Sequence, residues 1–233
     1  MIVNSKNGFF QPDNPFFTIL TRVFDLLLLN ILCLICSLPV ITAGAAFIAL
    51  YTVIFKWMRN EDPPVVSAYF AAFRENLKKG CAMGAVFLII FLVLGADLHI
   101  IGHMHSPSGS LFYGVILMLL AAAVSVAIYA FPLAAWFENT VRSHLGNAWR
   151  LAVTHLSQTV LIAVLHLFPV LWFLLSPETF FAAAFLWGII GAAVIAYFSS
   201  WFLTGIFLKL EKQAGPADRA ELEQNIRKDR RTP

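Results

Sequence analysis

Asp97, His99, His103 and His105 crowd into the stretch Gly95–His105, in a chain that holds only 6 histidines. Imidazole and carboxylate are ordinary ligands of zinc and copper, and on a helix His99 and His103 stand one turn apart on a shared face. Asp97 lies two residues before His99 and points elsewhere. His105 can join the pair only by folding back from a loop broken at Pro107 and Gly109. A catalytic zinc also needs an activated water and a general base, and the nearby loops offer little besides Glu178. The spacing therefore supplies two ligands rather than a reaction centre. The plainer reading is a polar rim, with a metal site as its alternative.

Other chemistry-bearing residues lie inside apolar runs. Asp25 sits three residues after Arg22, within pairing distance on one helical face, and intramembrane charges usually face a bundle interior or a polar partner. Asn30 and Thr42 are the other polar candidates at membrane depth. Cys33 and Cys36 form a C-x-x-C, but near the C-terminal end of a helix with apolar neighbours. Reactive pairs gain a lowered thiol pKa at helix N-termini, so this pair reads as packing. There is no phosphate-cradling G-x-x-x-x-G-K-[ST] loop, no H-E-x-x-H and no G-x-S-x-G elbow. The sequence predicts no enzyme and no cofactor.

The elements that hold these residues are set by composition. Of 233 residues, 60% are hydrophobic and 12% charged, with a mean hydropathy of +0.79. Soluble domains carry about 25% charged residues. A net charge of +3 is too small to point to nucleic acid; the lipid bilayer is the expected partner. Crossing hydrocarbon takes about 20 apolar residues. Six runs qualify: 16–37, 40–58, 81–101, 111–137, 159–175 and 180–208. The last is longer than needed and should tilt, bend at Gly188 or Gly191, or emerge into the cytoplasm. The expected fold class is an all-α polytopic membrane helix bundle, 16–208, between an N-terminal segment, 1–15, and a charged tail, 209–233.

The 16 Lys and Arg residues fall entirely on segments and helix ends that share one side if both termini are cytoplasmic. By the positive-inside rule this places the chain in a cell membrane with both ends inside. The connections at Leu38–Pro39, His103–Ser110 and Ser176–Glu178 carry none and should lie outside. Pro39 stops the first helix, and Thr42 is expected to cap the second. Gly44, Ala45 and Ala46 permit close helix contact. In the tail, a short helix through Asp218–Arg227 is expected, and its basic run favours anionic lipid.

Two further stretches are amphipathic rather than spanning. In the first, Val66, Tyr69, Phe70, Phe73 and Leu77 oppose Arg74, Glu75, Lys78 and Lys79. In the second, Leu145, Ala148, Trp149, Ala152 and Leu156 oppose Arg142, Arg150 and His155. Such helices lie in the interface plane, or each forms the cytoplasmic end of the helix that follows it. Arg74, Asn76, Lys78, Lys79, Arg142, Asn147 and Arg150 are expected to face the cytoplasmic surface.

Several of these residues together resemble the YesL family, bacterial membrane proteins defined by a domain of unknown function. The match runs through Asp25, Leu29-Asn30, Ser37-Leu38-Pro39-Val40, Thr42, Gly44 and Ala49-Leu50-Tyr51, then Tyr69/Phe70, Phe73-Arg74 and Asn76. It covers the first third of the chain. The family's genes tend to lie beside carbohydrate ABC importers and polysaccharide-degrading enzymes. The resemblance thus implies a non-catalytic accessory subunit of an oligosaccharide importer, with an ABC permease or transport ATPase as partner. Phe73, Arg74, Asn76, Lys78, Lys79, Arg142, Asn147 and Arg150 are its docking candidates. The alternative is a stand-alone small transporter or channel with a polar path through Asp25, Asn30 and Thr42. Whether the chain pairs with itself is left open by the sequence.

Overall fold

A computed structural model describes residues 15–103 and 107–213 of the chain. Among them there is no strand. Helix α1 (Pro15–Ser37) turns through a single 3-10 turn, Val40–Thr42, into α2 (Ala43–Met58). Then follow α3 (Val65–Glu75), α4 (Leu77–Gly102), α5 (Pro107–Trp136), α6 (Val141–Thr154), α7 (Leu156–Leu175) and α8 (Pro177–Leu186). A π-helical segment, Trp187–Gly191, joins α8 to α9 (Ala192–Gln213). Six helical stretches are long and apolar enough to cross a membrane by length and composition. The fold is an all-α polytopic bundle.

Helix α2 is its axis. Eleven of its side chains are buried, from Gly44 to Trp57, and it packs against α1, α3, α4, α5 and α9. Small residues explain how one helix accepts so many neighbours. A Cβ placed on Gly44 would lie 3.0 Å from the carbonyl carbon of Gly80 and 3.0 Å from the nitrogen of Gly84, so α2 and α4 touch backbone to backbone. The expected close-contact role of Gly44 is what the structure displays. Around this crossing the core fills with Leu29, Leu50, Ile54, Tyr69, Met83, Tyr129, Leu203 and Phe207.

Burial stops abruptly along the hairpin of α4 and α5. On α4 nothing beyond Phe87 is buried among the described residues, and on α5 the main core cluster begins at Ile128, with Gly109 and Ile116 buried apart from it. The remaining lengths carry Leu92, Val93, Ile100, Leu111, Val115 and Leu119 exposed. In water such a surface is untenable; in lipid it is the expected one.

Several expectations need correction. The amphipathic helices exist, but their buried faces are rotated from the apolar stripes read in the sequence. Helix α3 buries Val65, Ala68, Tyr69 and Ala72 and turns Val66 and Phe70 outward. Helix α6 buries His144, Ala148, Leu151 and Ala152 and turns Trp149 outward. Large apolar residues can face lipid, so small ones mark the helix contacts instead. Helix α9 continues to Gln213, into the first residues of the charged tail expected from 209. The helix expected at 218–227 lies outside the described residues, as do residues 1–14. At Gly188 and Gly191, where a bend was one expectation, the helix passes through the π-segment Trp187–Gly191.

Candidate functional site

The polar residues singled out inside the apolar runs are bound within the protein. Asn30 is fully buried. Its Nδ2 donates to the Gly188 carbonyl at 2.6 Å, and its Oδ1 accepts from the Ala193 backbone N–H at 2.9 Å. Gly188 lies within the π-segment and Ala193 two residues past its end, where the widened turn departs from the regular i→i−4 ladder. One amide side chain from α1 thus pairs with an acceptor and a donor at the break, as suits a membrane interior. Gly191 completes the joint: a Cβ there would fall 2.8 Å from the Trp187 indole.

Thr42 does not cap α2 with its side chain. Its Oγ1 instead donates backward to the Cys36 carbonyl at 2.6 Å and the Pro39 carbonyl at 2.8 Å. The hydroxyl closes the hairpin rather than starting the helix, because the 3-10 turn holds Thr42 in a helical conformation. Cys33, Cys36 and Cys81 are free thiols, and the Cys33 sulfur faces Ser37 Oγ at 4.0 Å.

Arg22 does meet Asp25, but at 4.0 Å. Its shorter contact is with Asp62, at 2.8 Å, and its guanidinium lies 4.7 Å from the centre of the Trp57 ring. Asp25 is half-buried. A second clamp joins the ends of α2, α5 and α9. Arg59 lies 3.8 Å over Trp136 and 3.7 Å from Glu211, while Trp136 Nε1 donates to Glu211 at 2.6 Å. Neither Asp62 nor Glu211 was visible as a partner in sequence, since each lies far along the chain from its arginine.

The basic rim divides in two. Arg74, Lys78, Arg142 and Arg150 are exposed. Asn76 is buried, which corrects the expectation that it faces the surface, while Phe73, Lys79 and Asn147 are half-buried. Phe73 packs on the core and stacks with Tyr69 at 6.3 Å. Asn76 is buried and donates to the Ala72 carbonyl at 2.9 Å, finishing α3. Lys79 donates to the Ala134 carbonyl at 3.2 Å, placing a cation where the last turn of α5 leaves carbonyls unpaired.

Beside Lys79 lies His144 of α6, with 1% of its surface exposed. Its Nε2 has no hydrogen-bond partner among the described residues. Burial pushes its pKa down to about 4, the Lys79 charge pushes the same way, and a backbone hydrogen bond at Asn139 opposes both. Burial likewise holds the Tyr69 phenol above its ordinary value.

Two contacts escaped the sequence reading. His166 Nδ1 donates to the Ile162 carbonyl at 2.9 Å, which leaves Nε2 to accept from the Tyr51 hydroxyl at 3.4 Å. Tyr129 and Thr159 share a hydrogen bond of 3.0 Å. An imidazole in the middle of an apolar run is itself a signal, and His166 should have been read from it.

The stretch that opened the chemistry is at the end of α4. The rings of His99 and His103 meet edge to face with centroids 4.9 Å apart. Asp97 is half-buried away from them, and His105 lies outside the described residues. Among the described residues, no three His, Cys, Asp or Glu side chains are grouped to hold a metal.

Comparison with known proteins fits this geometry. Residues 26–98 match the family described as "Protein of unknown function, DUF624", a span that includes Asn30, the hairpin, the α2–α4 crossing and all of α3. The chain is similar to "Uncharacterized protein YesL" of Bacillus subtilis (strain 168), 28% identical over 164 residues, covering 70% of this chain and 75% of that protein. It is also similar to "Uncharacterized protein YteU" of the same organism, 26% identical over 184 residues and covering 77% of each. No solved structure matches. With Asn30, Thr42 and Gly44 placed at the joints of a multi-pass helical bundle, the matched segment and both relatives support a likeness to the YesL-like DUF624 proteins.

Proposed function

We propose that this chain is a non-catalytic accessory subunit of a carbohydrate ABC import system, seated in the bacterial plasma membrane with both termini in the cytoplasm. It assists assembly, stability or coupling, and the permease or transport ATPase supplies the transport chemistry. The resemblance to YesL-like proteins motivates the partner class. The observation that carries the docking role is the contrast between the occupied polar residues of a candidate path and the open rim. Of Asp25, Asn30 and Thr42, the residues a solute path would use, Asn30 and Thr42 are hydrogen-bonded within the protein and Asp25 faces Arg22 at 4.0 Å. Arg74, Lys78, Arg142 and Arg150 stand exposed on α3, α6 and the start of α4, and both α3 and α6 pack against α4. Charged rims of this kind steer partners and fix orientation more than they add raw affinity.

Reconstitution tests the reading. The purified chain alone in proteoliposomes should give no uptake of any oligosaccharide, while adding it to its cognate importer should raise uptake or the lifetime of the complex. Uptake by the chain alone would replace this reading with the stand-alone transporter.

A further inference from the structure

We propose that the tip of the α1–α2 hairpin, Leu38 to Ile41, is a lipid-contact surface buried among acyl chains, and that α1 and α2 form a re-entrant pair that does not reach the far face of the bilayer. This goes beyond the proposed docking role and does not depend on it. The far face here is the one at which α4 ends.

Depth along α4 carries the inference. The tip packs on the first two turns of that helix: Gly44 meets Gly80 and Gly84, and a Cβ on Gly84 would lie 3.8 Å from the Ile41 carbonyl oxygen. Lys78 and Lys79 sit immediately before this contact. From Gly84 the helix runs on to Gly102, which at 1.5 Å per residue is roughly 27 Å. Even at the steepest ordinary tilt, about 40°, that leaves roughly 20 Å along the membrane normal. The hydrocarbon is about 30 Å thick. The tip therefore stops roughly 20 Å short of the end of α4 along the membrane normal, inside the hydrocarbon rather than at the far face.

The chemistry of the tip agrees independently. Leu38, Val40 and Ile41 are 79%, 60% and 66% exposed, and the turn carries no charge. A turn in water would favour polar residues. A turn in lipid must satisfy its own backbone, and this one does so in part. Leu38 N–H donates to the Ile35 carbonyl and Thr42 N–H to the Pro39 carbonyl, and the single Thr42 hydroxyl proton lies within reach of the Cys36 and Pro39 carbonyls. Pro39 brings no donor at all.

The test places single cysteines in the full chain after Cys33, Cys36 and Cys81 are replaced by alanine. Val40→Cys and Ile41→Cys report the tip, Ser110→Cys the far face, and Asn60→Cys the near face. A membrane-impermeant maleimide is applied to intact cells and to permeabilised ones. Ser110→Cys should label from outside, and Asn60→Cys only after permeabilisation. Val40→Cys should label at least roughly tenfold more slowly than either, since hydrocarbon suppresses the reactive thiolate. A bimane on Val40→Cys in liposomes should be quenched by lipids bearing a nitroxide on the acyl chain. Labelling of Val40→Cys from outside at the rate of Ser110→Cys overturns the proposal. Slow labelling without lipid quenching also overturns it, because a protein contact then covers the tip. Ala-for-Cys replacement is checked by monodisperse elution, and Leu38→Cys repeats the measurement if either tip variant fails to fold.

Discussion

Replacing Gly44 by alanine adds one methyl group at the tightest point in the molecule. The new carbon would fall 3.0 Å from Gly80 C and Gly84 N, and nearer still to the Gly80 carbonyl oxygen, where ordinary contact begins at 3.4 Å. These are backbone atoms of a continuous helix, so no rotamer change can clear them. The helices must separate by at least the shortfall of about 0.4 Å, and by more at the oxygen, and the separation loosens Met83 and Phe87 from the core. Overpacking of this kind costs roughly 1–3 kcal/mol, and the rigid partners place Gly44→Ala at the upper end. At about 2–4 °C per kcal/mol for a chain of this size, the apparent Tm in mild detergent should fall by roughly 5–10 °C. Gly95→Ala is the internal control, because a Cβ at that α4 position meets nothing within 4 Å. It should leave Tm unchanged or raise it slightly, as alanine favours helix over glycine. Thermal denaturation followed by a thiol-reactive dye or by light scattering gives both values. If Gly44→Ala matches Gly95→Ala, the backbone contact between α2 and α4 is wrong.

Other consequences are open to measurement. Asn30→Leu keeps the volume but strands the Gly188 carbonyl and the Ala193 N–H, each worth about 1–3 kcal/mol when buried; hydrogen exchange should accelerate around residues 187–193 before the rest of the bundle responds. His144 holds its neutral form in the folded chain, so above pH 6.5 it contributes no pH dependence. As pH falls from 6.5 to about 4 only the unfolded chain takes up the proton, and stability should drop by about 3 kcal/mol over that window. His144→Leu should flatten this part of the Tm-against-pH curve. Arg59→Ala removes both the Glu211 pair and the stack on Trp136, and should lower Tm and free the C-terminal end of α9, seen as faster proteolysis there. Arg74→Glu with Arg150→Glu, both exposed, should leave Tm unchanged within the roughly 0.5 kcal/mol typical of surface positions.

Much of the architecture was legible because membrane depth imposes length and composition. The first two apolar runs, 16–37 and 40–58, coincide with the helical spans, and the glycines at 188 and 191 marked the break in the last helix. What sequence could not decide was which apolar face turns inward. In water the greasy face is the buried one, whereas here lipid accepts Val66, Phe70 and Trp149 while Ala68, Ala72 and Ala148 make the contacts. Asn30 stood out as a polar residue at depth, but its partners are backbone groups that have no residue-type signature. Asp62 was invisible for a different reason: it lies 40 residues from Arg22, and no local spacing links them. The depth of the hairpin tip also needed coordinates, since only the contact of Gly44 with Gly80 reveals that α2 meets α4 near its charged start.

The docking claim is tested most directly by quantitative copurification. The tagged chain is extracted in mild detergent from cells grown on oligosaccharide, and ABC permease and ATPase subunits are counted in the eluate. The wild-type chain should bring down a permease in fixed stoichiometry, and the Arg74→Glu, Arg150→Glu variant should elute folded and without it. A wild-type chain that elutes alone under conditions that keep the importer itself intact, or a variant that retains the full complement of permease, contradicts the account.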